Sequence, residues 1–229
     1  MVRRRSILGK LARYAALVAL ALLGAFAGLV ALYAFAPPIS TLMLARALQG
    51  KSYERVYVPL RDISPNAVAL VVASEDATFC ENDGVDWGAL KEVLNSAGAR
   101  GPSRGASTIT MQTAKNLFLW PGRSNVRKGV EIGMALVLGK VWPKRRTLEV
   151  YLNIAEWGDG TFGIEAAARR YFKTSASRLS EREAALLATS LPNPIKRNPS
   201  HPTAFQNRLA AGLLARAFMR PRFLDCLTR

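Results

Sequence analysis

The sequence predicts a mainly α-helical domain that follows one N-terminal membrane-spanning helix. Residues 14–36 form 23 consecutive uncharged positions, rich in Ala, Leu, Val, Gly and Phe. About 20 such residues suffice to cross a bilayer as a helix. Beyond them, helix caps and apolar spacings of three to four residues recur, and no internal repeat or low-complexity tract interrupts them. A chain of 229 residues is long enough for one domain with a sizeable core.

The N-terminal region shows which way the chain would cross a membrane. Five basic residues precede the apolar stretch, namely Arg3, Arg4, Arg5, Lys10 and Arg13. The positive-inside rule keeps this tail cytoplasmic and sends the rest of the chain across the membrane. We therefore predict a cytoplasmic basic tail at 1–13, a transmembrane helix at 14–36, a stem at 37–59 and the main domain at 60–229.

A cleaved signal peptide is the alternative interpretation of the same region. The apolar stretch is about twice as long as the hydrophobic core of a typical signal peptide. The segment Ala34–Ala36 imitates a cleavage site, but Pro37 and Pro38 follow it directly. Proline after the scissile bond disfavours cleavage, so a retained anchor is the preferred prediction.

The charge of the chain indicates the chemistry of its partners. The net charge is +16, and the 27 basic residues outside the N-terminal cluster still exceed the 16 acidic ones by 11. This excess favours a phosphate-bearing or membrane-surface partner. Nucleic acid would satisfy the same charge, but the sequence has no zinc-finger spacing, no RNA-recognition signature and no basic helix followed by heptads.

Histidine and cysteine are scarce, which limits the possible chemistry. His201 is the sole histidine, so a histidine-rich metal site is excluded and a Ser-His-Asp or Cys-His arrangement is disfavoured. Cys80 and Cys226 have no metal or redox spacing, and the sequence leaves open whether they pair. If the protein is an enzyme, carboxylates must carry the proton transfers.

Local signals place the first elements after the span. A weak alternation at Tyr53–Leu60 permits one short strand. Ser64 followed by Pro65 is typical of a helix N-cap with proline at the first helical position, and the buried helix then leads to Glu75. A further helix is predicted at 86–99, and a mobile loop at 98–105.

Later signals predict the remaining helices. From Ser124 onward, apolar residues at three- and four-residue steps predict one apolar helical face, made by Val126, Val130, Met134, Val137 and Val141. Ser180 with Glu183 forms a capping-box pattern. The other predicted helices run over 148–155, 164–172, 181–190 and 204–219, with a glycine-rich connection at 158–163.

Glu75 is the first candidate for chemistry. It ends an apolar run and begins a segment crowded with carboxylates, residues 75–86. A carboxylate held against apolar neighbours loses hydration and gains proton affinity, so it can act as a general base near neutral pH. An acidic surface turn without function is the alternative.

A second candidate segment gathers hydroxyls, an amide and a lysine at 105–116. Such groups bind diphosphate oxygens at the start of a helix, although an ordinary capped helix has the same composition. The apolar run Leu117–Trp120 follows, and beside basic residues such a run also suits the membrane interface.

Four ordered motifs resemble those of the peptidoglycan glycosyltransferases, and the closest resemblance is to the monofunctional transglycosylases. They are Glu75-Asp76-x-x-Phe79 with Gly84 and Asp86, then Gly105-x-Ser107-Thr108-Ile109-Thr110-x-Gln112-x-x-Lys115-Asn116, then Arg127-Lys128-x-x-Glu131, and Lys144 through Tyr151-Leu152-Asn153. The match covers about residues 60–195. No Ser-x-x-Lys or Lys-Thr-Gly element indicates a transpeptidase.

The resemblance implies a lysozyme-like, mainly α fold. It also implies an enzyme that polymerises lipid II into glycan strands. It makes Glu75 and Glu131 the catalytic residues. Glu75 would deprotonate the 4-hydroxyl of the acceptor sugar, with inversion at the donor carbon. Glu131 would support the diphosphate site, through a divalent cation (Mg²⁺ or Mn²⁺) or by orienting basic residues. The substrate-binding residues implied are Asp76, Ser107, Thr108, Gln112, Lys115, Asn116, Arg123, Arg127 and Lys128.

The chain departs from the family pattern at two positions. Asn82 stands where the family usually has histidine, and Met111 replaces one of two glutamines. Asn82 cannot carry a proton charge, so only a hydrogen-bonding role survives there. Neither change removes the proposed base or a phosphate-binding cation.

The resemblance also implies the setting and the partners. The expected location is the bacterial inner membrane, with one span and a periplasmic catalytic domain. Expected partners are lipid II, the growing glycan strand, membrane lipids, and cell-wall synthesis or division proteins, without nucleic acid. Two alternatives stay open: a lysozyme-like hydrolase or lytic transglycosylase, and a non-catalytic membrane-anchored scaffold that binds glycan.

Overall fold

The computed structural model describes residues 2–96, 106–122, 124–218 and 221–227, and it is mainly α-helical, as predicted. The chain divides into two compact units, Met1–Pro37 and Pro38–Arg229. The helices of the described residues are α1 (Val2–Tyr33), α2 (Thr41–Leu48), α3 (Pro65–Glu75), α4 (Trp87–Ser96), α5 (Ile109–Phe118), α6 (Asn125–Val141), α7 (Lys144–Ile154), α8 (Ile164–Phe172), α9 (Glu181–Ala188) and α10 (Ala204–Phe218). Short 3₁₀ helices lie at Leu60–Asp62, Ala176–Arg178 and Pro221–Leu227.

The first unit is dominated by α1. Its apolar part, Gly9–Tyr33, has 25 residues and a mean hydropathy of 2.5, so it is long and apolar enough to cross a membrane. The helix begins within the basic tail and ends at Tyr33, whereas the prediction ended at Ala36. A hydrogen-bonded turn follows, in which the Ala34 amide donates to the Val30 carbonyl.

The core of the second unit forms around α3. This helix packs against α9 and α10. Its sequence is apolar on nearly every face because it is enclosed on several sides. The buried residues are Ala67, Val68, Leu70, Val71 and Val72. Burial of α3 places the carboxylate of Glu75, its last residue, at the end of an apolar helix.

A second group of helices packs beside this core. Helix α5 contacts both α6 and α7, and α2 packs on α5. Met43 of α2 is fully buried. The Thr41 hydroxyl donates to the Asn116 and Leu119 carbonyls at the end of α5. Because of these contacts, residues from Pro38 onward belong to the same unit as the helices that follow.

A small three-stranded sheet closes one side of the second unit. Strand β1 (Glu54–Arg55) pairs in parallel with β3 (Thr161–Phe162), which pairs antiparallel with β2 (Glu156–Gly158). The strand predicted at Tyr53–Leu60 is therefore much shorter than its alternation indicated. After Arg55 the backbone bonds side chains of α7 instead, as the Val58 amide donates to Asn153 Oδ1 at 2.9 Å.

Helix caps follow the sequence signals with one exception. Ser180 and Glu183 form the predicted reciprocal capping box. Ser64 is the N-cap of α3 and Pro65 is the first residue of the helix, as predicted, but the Ser64 side chain makes no capping hydrogen bond. The Ser64 hydroxyl donates to the Leu179 carbonyl instead. It thus joins the start of α3 to the segment that precedes α9.

The apolar face predicted for α6 lies largely at the surface. Val126 and Val141 are 76% and 56% exposed, and Val130 and Val137 are also exposed. The buried side of the helix is made by Arg127, Glu131, Ala135 and Leu138. Helical spacing identified a real apolar stripe, but the polar side faces the protein because Arg127 and Glu131 pair within the site.

Some of the remaining predicted segments lie partly or wholly outside the described residues. The helix predicted at 86–99 is α4, Trp87–Ser96, while the loop predicted at 98–105 and the predicted end of the last helix at residue 219 lie outside the described residues. Cys80 and Cys226, left open by the sequence, form a disulfide across 146 residues of chain.

Candidate active site

The acidic turn, residues 76–86, connects α3 to α4 and is the centre of the candidate site. Helices α5, α6 and α7 and the C-terminal 3₁₀ helix all make contacts to it, as described below. Gly84 has a φ of +105°, a conformation that favours glycine. The local conformation of the turn therefore depends on glycine, and its position depends on contacts with four segments that are distant in sequence.

Glu75, at the end of α3, presents its carboxylate beside this turn. Gln112 Nε2 donates to Glu75 Oε2 at 3.0 Å, and the Ser74 hydroxyl donates to Oε1 at 3.3 Å. Burial raises the pKa of Glu75, while these bonds and the charge of Lys115 act in the opposite direction. A carboxylate in this setting can accept a proton at higher pH than an exposed glutamate does.

Tyr151 orients the amide that bonds Glu75. Its hydroxyl lies 3.2 Å from Gln112 Oε1 and donates to it. Burial raises the pKa of Tyr151 well above its usual value, so the hydroxyl stays protonated. Because the amide oxygen is taken by this hydroxyl, the Gln112 NH₂ group points at the carboxylate.

Asp76 links the acidic turn to the start of α5. It is buried, and its Oδ2 accepts a hydrogen bond from the Ile109 amide at 3.0 Å. Burial raises the pKa of Asp76 against these bonds. Thr108 is the N-cap of α5, accepting from the Met111 amide, and its hydroxyl also donates to the Gly84 carbonyl at 2.6 Å.

Asn82 and Lys144 join the turn to α7. Asn82 Nδ2 donates to Asp76 Oδ1 at 3.0 Å, and Lys144 Nζ donates to the Asn82 carbonyl at 2.5 Å. Lys144 also lies over the Phe79 ring, 4.6 Å from its centroid. Burial lowers the pKa of Lys144, while Asp76 and Asp83 raise it. The residue in the usual histidine position thus has the hydrogen-bonding role expected of it.

Helix α6 touches the turn through backbone atoms. A Cβ added to Gly139 would lie 2.2 Å from the Asp83 carbonyl oxygen, and one added to Gly84 would lie 2.5 Å from the Ala135 oxygen. No real Cβ approaches backbone this closely. Glycine at both positions is therefore what allows α6 and the turn to meet.

Four motif residues form one charged network between the acidic turn and α6. Lys128 Nζ lies 2.7 Å from the Ser107 hydroxyl and 2.6 Å from Glu131 Oε1. Arg127 pairs with the other oxygen of Glu131 at 3.0 Å. Glu131 is only 2% exposed, so a carboxylate with two cationic partners is held inside the protein.

Two cations near this network have unused hydrogen-bonding capacity. Arg127 is 8% exposed, and its buried Nε has no partner among the described residues. The Lys115 ammonium makes no hydrogen bond or ion pair within the part of the chain that the structure describes. Burial, together with the charges of Arg127 and Lys128, lowers the pKa of Lys115, and Glu131 opposes this. Such a cluster is suited to an anion.

The surroundings of Glu131 do not fit a divalent cation. Both of its oxygens are engaged by cationic side chains. Among the described residues, no group of three His, Cys, Asp or Glu side chains converges. Mg²⁺ or Mn²⁺ would need several oxygen ligands and would be repelled by Lys115, Arg127 and Lys128. Glu131 instead forms ion pairs with Arg127 and Lys128.

The structure brings nearly all the candidates together. Glu75, Asp76, Ser107 and Thr108 line one cavity of about 160 Å³. A second cavity, of about 250 Å³, is lined in part by Lys115, Asn116 and Arg127. Arg123 lies outside the described residues. Met111, the second departure from the family pattern, is fully buried, so its side chain faces the core.

Four residues that help to form the site had no role predicted from the sequence. Tyr151 and Lys144 lie in the fourth motif, which was the available signal, but no role followed from it because their partners are 39 and 62 residues away. Gly84 and Gly139 carried no signal of a close backbone contact. Only tertiary packing reveals such partners.

The chain is similar in sequence to known proteins over most of its length. The family model described as Transglycosylase matches residues 42–216. The chain is 50% identical over 211 residues to the biosynthetic peptidoglycan transglycosylase of Brucella suis biovar 1 (strain 1330), covering 92% of this chain and 94% of that protein.

Two further relatives carry the same description. The biosynthetic peptidoglycan transglycosylase of Agrobacterium fabrum (strain C58) is 51% identical over 201 residues, covering 87% of this chain and 89% of the relative. That of Rhodospirillum centenum (strain ATCC 51521 / SW) is 55% identical over 176 residues, covering 76% of each. The similarity thus spans the candidate site and most of every chain compared.

Proposed function

Because this chain belongs to the transglycosylase family and is a peptidoglycan glycosyltransferase, we propose that it polymerises lipid II into β-1,4 glycan strands and releases undecaprenyl diphosphate. Its helical domain has the lysozyme-like fold of that family. The observation that carries the proposal is the pairing of one partly buried carboxylate, Glu75, with a separate cluster of cations that has unused donors.

Glu75 is the proposed general base. The 4-hydroxyl of the acceptor sugar loses its proton to Glu75 as its oxygen attacks the anomeric carbon of the growing chain. Attack from the face opposite the leaving group inverts the α-linked donor to a β-1,4 bond. Gln112 and Ser74 hold the carboxylate through hydrogen bonds, so its oxygens are oriented before the acceptor binds.

Lys115, Arg127 and Lys128 are proposed to bind the leaving diphosphate. Negative charge accumulates on that group as the glycosidic bond breaks, and preorganised cations stabilise it. The donors are Arg127 Nε, which has no partner among the described residues, and the ammonium of Lys115. Glu131 holds Arg127 and Lys128 in place through its two ion pairs. Arg123 belongs to the same proposed set by its motif position.

The remaining proposed substrate contacts are five further residues of the first two motifs. Ser107 shares Lys128 with Glu131, and Asn116 lines the same cavity as Lys115. Asp76, Thr108 and Gln112 complete the set. The structure shows each of these three also bonded within the protein. They can therefore position the site as well as contact substrate.

We further propose that the protein is a single-pass inner-membrane protein with segments at 1–13, 14–36, 37–59 and 60–229. The apolar helix Gly9–Tyr33 supports the anchor. The exposed valines of α6 support contact of the domain with lipid. The Cys80–Cys226 disulfide supports a periplasmic domain, because such bonds persist in oxidising compartments. Cell-wall synthesis or division proteins are the proposed protein partners.

The two alternative functions, a hydrolase or lytic transglycosylase and a non-catalytic scaffold, explain less of the geometry of the site. A hydrolase or lytic transglycosylase needs a catalytic carboxylate but has no use for the cations Lys115, Arg127 and Lys128. A non-catalytic scaffold needs neither a desolvated Glu75 nor unpaired buried donors. The test below separates these functions by their products.

The deciding experiment is polymerisation of labelled lipid II by the purified full chain in detergent. Wild type should form glycan polymer, and Glu75→Gln should lower the rate about 10²- to 10⁴-fold, as expected for loss of a general base. Glu181→Gln, an exposed glutamate at the start of α9, is the matched control and should retain full activity.

Two results would contradict the proposal. Equal polymerisation by wild type and Glu75→Gln would exclude Glu75 as the base. Cleavage of finished glycan without synthesis from lipid II would favour the hydrolase.

For the wild-type enzyme, kcat/KM should fall as pH decreases through a pKa above the ordinary glutamate range, because burial raises the pKa of Glu75 and only the ionised form accepts the proton.

A further inference from the structure

The acidic turn carries a covalent attachment between its two hydrogen-bonded ends. Asp76, at its beginning, and Gly84, near its end, are both bonded to the start of α5. Between these two points lies Cys80, which is half-buried and forms the disulfide with Cys226. The segment that connects Glu75 to α4 is therefore cross-linked to a part of the chain that is distant in sequence.

The partner of this bond is a fixed part of the domain. Cys226 lies in the 3₁₀ helix Pro221–Leu227, which packs against α3 and α7. Leu227 is only 7% exposed and belongs to the core, and Arg145 of α7 donates a hydrogen bond to its carbonyl. A segment near a chain terminus is well ordered only when contacts tie it down. These contacts give Cys80 a defined point of attachment.

Hydrogen bonds connect the position of Cys80 to the carboxylates of the site. The Asn82 amide and its side-chain Nδ2 both donate to the Thr78 carbonyl at 3.0 Å, so the chain closes a turn around Cys80. Asn82 Nδ2 also donates to Asp76 Oδ1 at 3.0 Å. A displacement of Cys80 therefore moves Asn82 and Asp76, and Asp76 follows Glu75 directly.

We propose that the Cys80–Cys226 disulfide is a positioning element of the active site, which holds the acidic turn in the geometry that glycosyl transfer needs. The inference rests on the proposed function, because Glu75 must be the base. The proposed diphosphate-binding cations of α6 are paired with Glu131 and do not contact the disulfide. Breaking the bond should therefore slow turnover without weakening the binding of diphosphate.

The test measures polymerisation of lipid II by the purified full chain in detergent, with the disulfide intact and after reduction. Dithiothreitol converts the bond to two thiols and is itself oxidised to a cyclic disulfide. Both forms are assayed at a temperature at which circular dichroism shows that the reduced domain is folded. Reduction should lower kcat about 10- to 100-fold, because small displacements of a catalytic group have effects of this size.

Two further measurements separate positioning from general damage to the protein. The KM for lipid II and the inhibition by inorganic diphosphate should stay close to the values of the oxidised protein. Oxidised glutathione re-forms the disulfide, itself becoming reduced, and should restore kcat. A bond that only stabilised the fold would change the Tm and leave kcat of the folded protein unchanged.

Cys226→Ser is the decisive variant, because it breaks the bond from outside the acidic turn. Assayed with dithiothreitol, it should have the lowered kcat of the reduced wild type. The double variant Cys80→Ser/Cys226→Ser should lower kcat no further, and it should not respond to dithiothreitol, which controls for effects of the reductant itself. A loss confined to variants at Cys80 would assign the effect to that side chain alone and overturn the inference.

Other outcomes distinguish this inference from the proposed function. Equal kcat in the folded oxidised and reduced forms would overturn the inference and leave the proposed function intact. Unfolding of the reduced domain at every temperature tested would also overturn it, since the bond would then serve the fold as a whole. Absence of polymer from the oxidised wild type would contradict the proposed function and the inference with it.

Discussion

At the scale of single residues, the proposed chemistry depends on how Glu75 is oriented. Its carboxylate accepts from Gln112, and Gln112 accepts from Tyr151. Lys115 and Asp76 are the charged groups that act on it, in opposite directions. The chain of two hydrogen bonds gives Tyr151 a defined effect on Glu75 without direct contact.

Tyr151→Phe tests this relay. The change removes the hydroxyl and keeps the buried ring, so Gln112 is free to rotate and bonds Glu75 for less of the time. Because that bond lowers the pKa of Glu75, its loss raises the pKa. The acidic limb of the kcat/KM profile for lipid II should then shift to higher pH, with a loss of about fivefold near neutrality.

Tyr171→Phe is the control for Tyr151→Phe, because its hydroxyl lies 3.2 Å from the Trp157 carbonyl, remote from Glu75. Its acidic limb should coincide with that of wild type. A lower rate for Tyr151→Phe with an unshifted limb would mean that Tyr151 serves packing only.

At the scale of elements, the acidic turn is where α5, α6 and α7 meet. Asp76 holds the start of α5, and Lys144 of α7 holds Asn82. Gly139 of α6 lies against Asp83 and Gly84. Because α6 also carries the cations Arg127 and Lys128, this backbone contact affects the distance between the proposed base and the proposed diphosphate site.

Gly139→Ala should therefore reduce both stability and activity. The added Cβ would lie 2.2 Å from the Asp83 carbonyl oxygen, so the turn must move away from α6. Overpacking of this kind costs about 1–3 kcal/mol. Thermal unfolding followed by circular dichroism should show a lower Tm, and lipid II polymerisation should slow.

Gly133→Ala is the matched change on the same helix. An added Cβ there meets no atom within 4 Å, so helix propensity should leave the variant as stable as wild type or stabilise it by up to about 1 kcal/mol. Equal Tm values and equal rates for the two alanine variants would show that the contact between α6 and the turn is unimportant.

At the scale of the whole molecule, the disulfide joins the acidic turn to the C-terminal 3₁₀ helix. Cys80 and Cys226 are 146 residues apart in sequence. The 3₁₀ helix Pro221–Leu227 packs against α3 and α7. Closing so long a loop reduces the conformational freedom of the unfolded chain, so the bond should stabilise the domain by roughly 2–5 kcal/mol.

Reduction tests this contribution. Wild type treated with dithiothreitol should unfold at a clearly lower temperature than the oxidised protein. The double variant Cys80→Ala/Cys226→Ala should show that lower Tm with or without reductant. A Tm of wild type that does not respond to complete reduction, verified by thiol titration, would contradict a stabilising role.

The sequence predicted more about α3 than about α6, the two helices that carry the catalytic candidates. For α3, the apolar run and Pro65 predicted both the helix and the position of Glu75, since caps and helix propensity act over a few residues. For α6, the three- to four-residue spacing predicted the helix and its apolar stripe, but the stripe is exposed and the opposite side of the helix is buried. A spacing pattern shows which residues share a face, and it does not show what that face contacts.

The sequence by itself determined the helical class, the apolar N-terminal helix, the family resemblance and the choice of Glu75 and the cations as candidates. Each rests on residues close together in the chain or on ordered motifs. Only the tertiary structure decided the Tyr151–Gln112–Glu75 relay, the disulfide and the backbone contact of Gly139. These features join residues far apart in sequence, and their geometry depends on how complete helices pack.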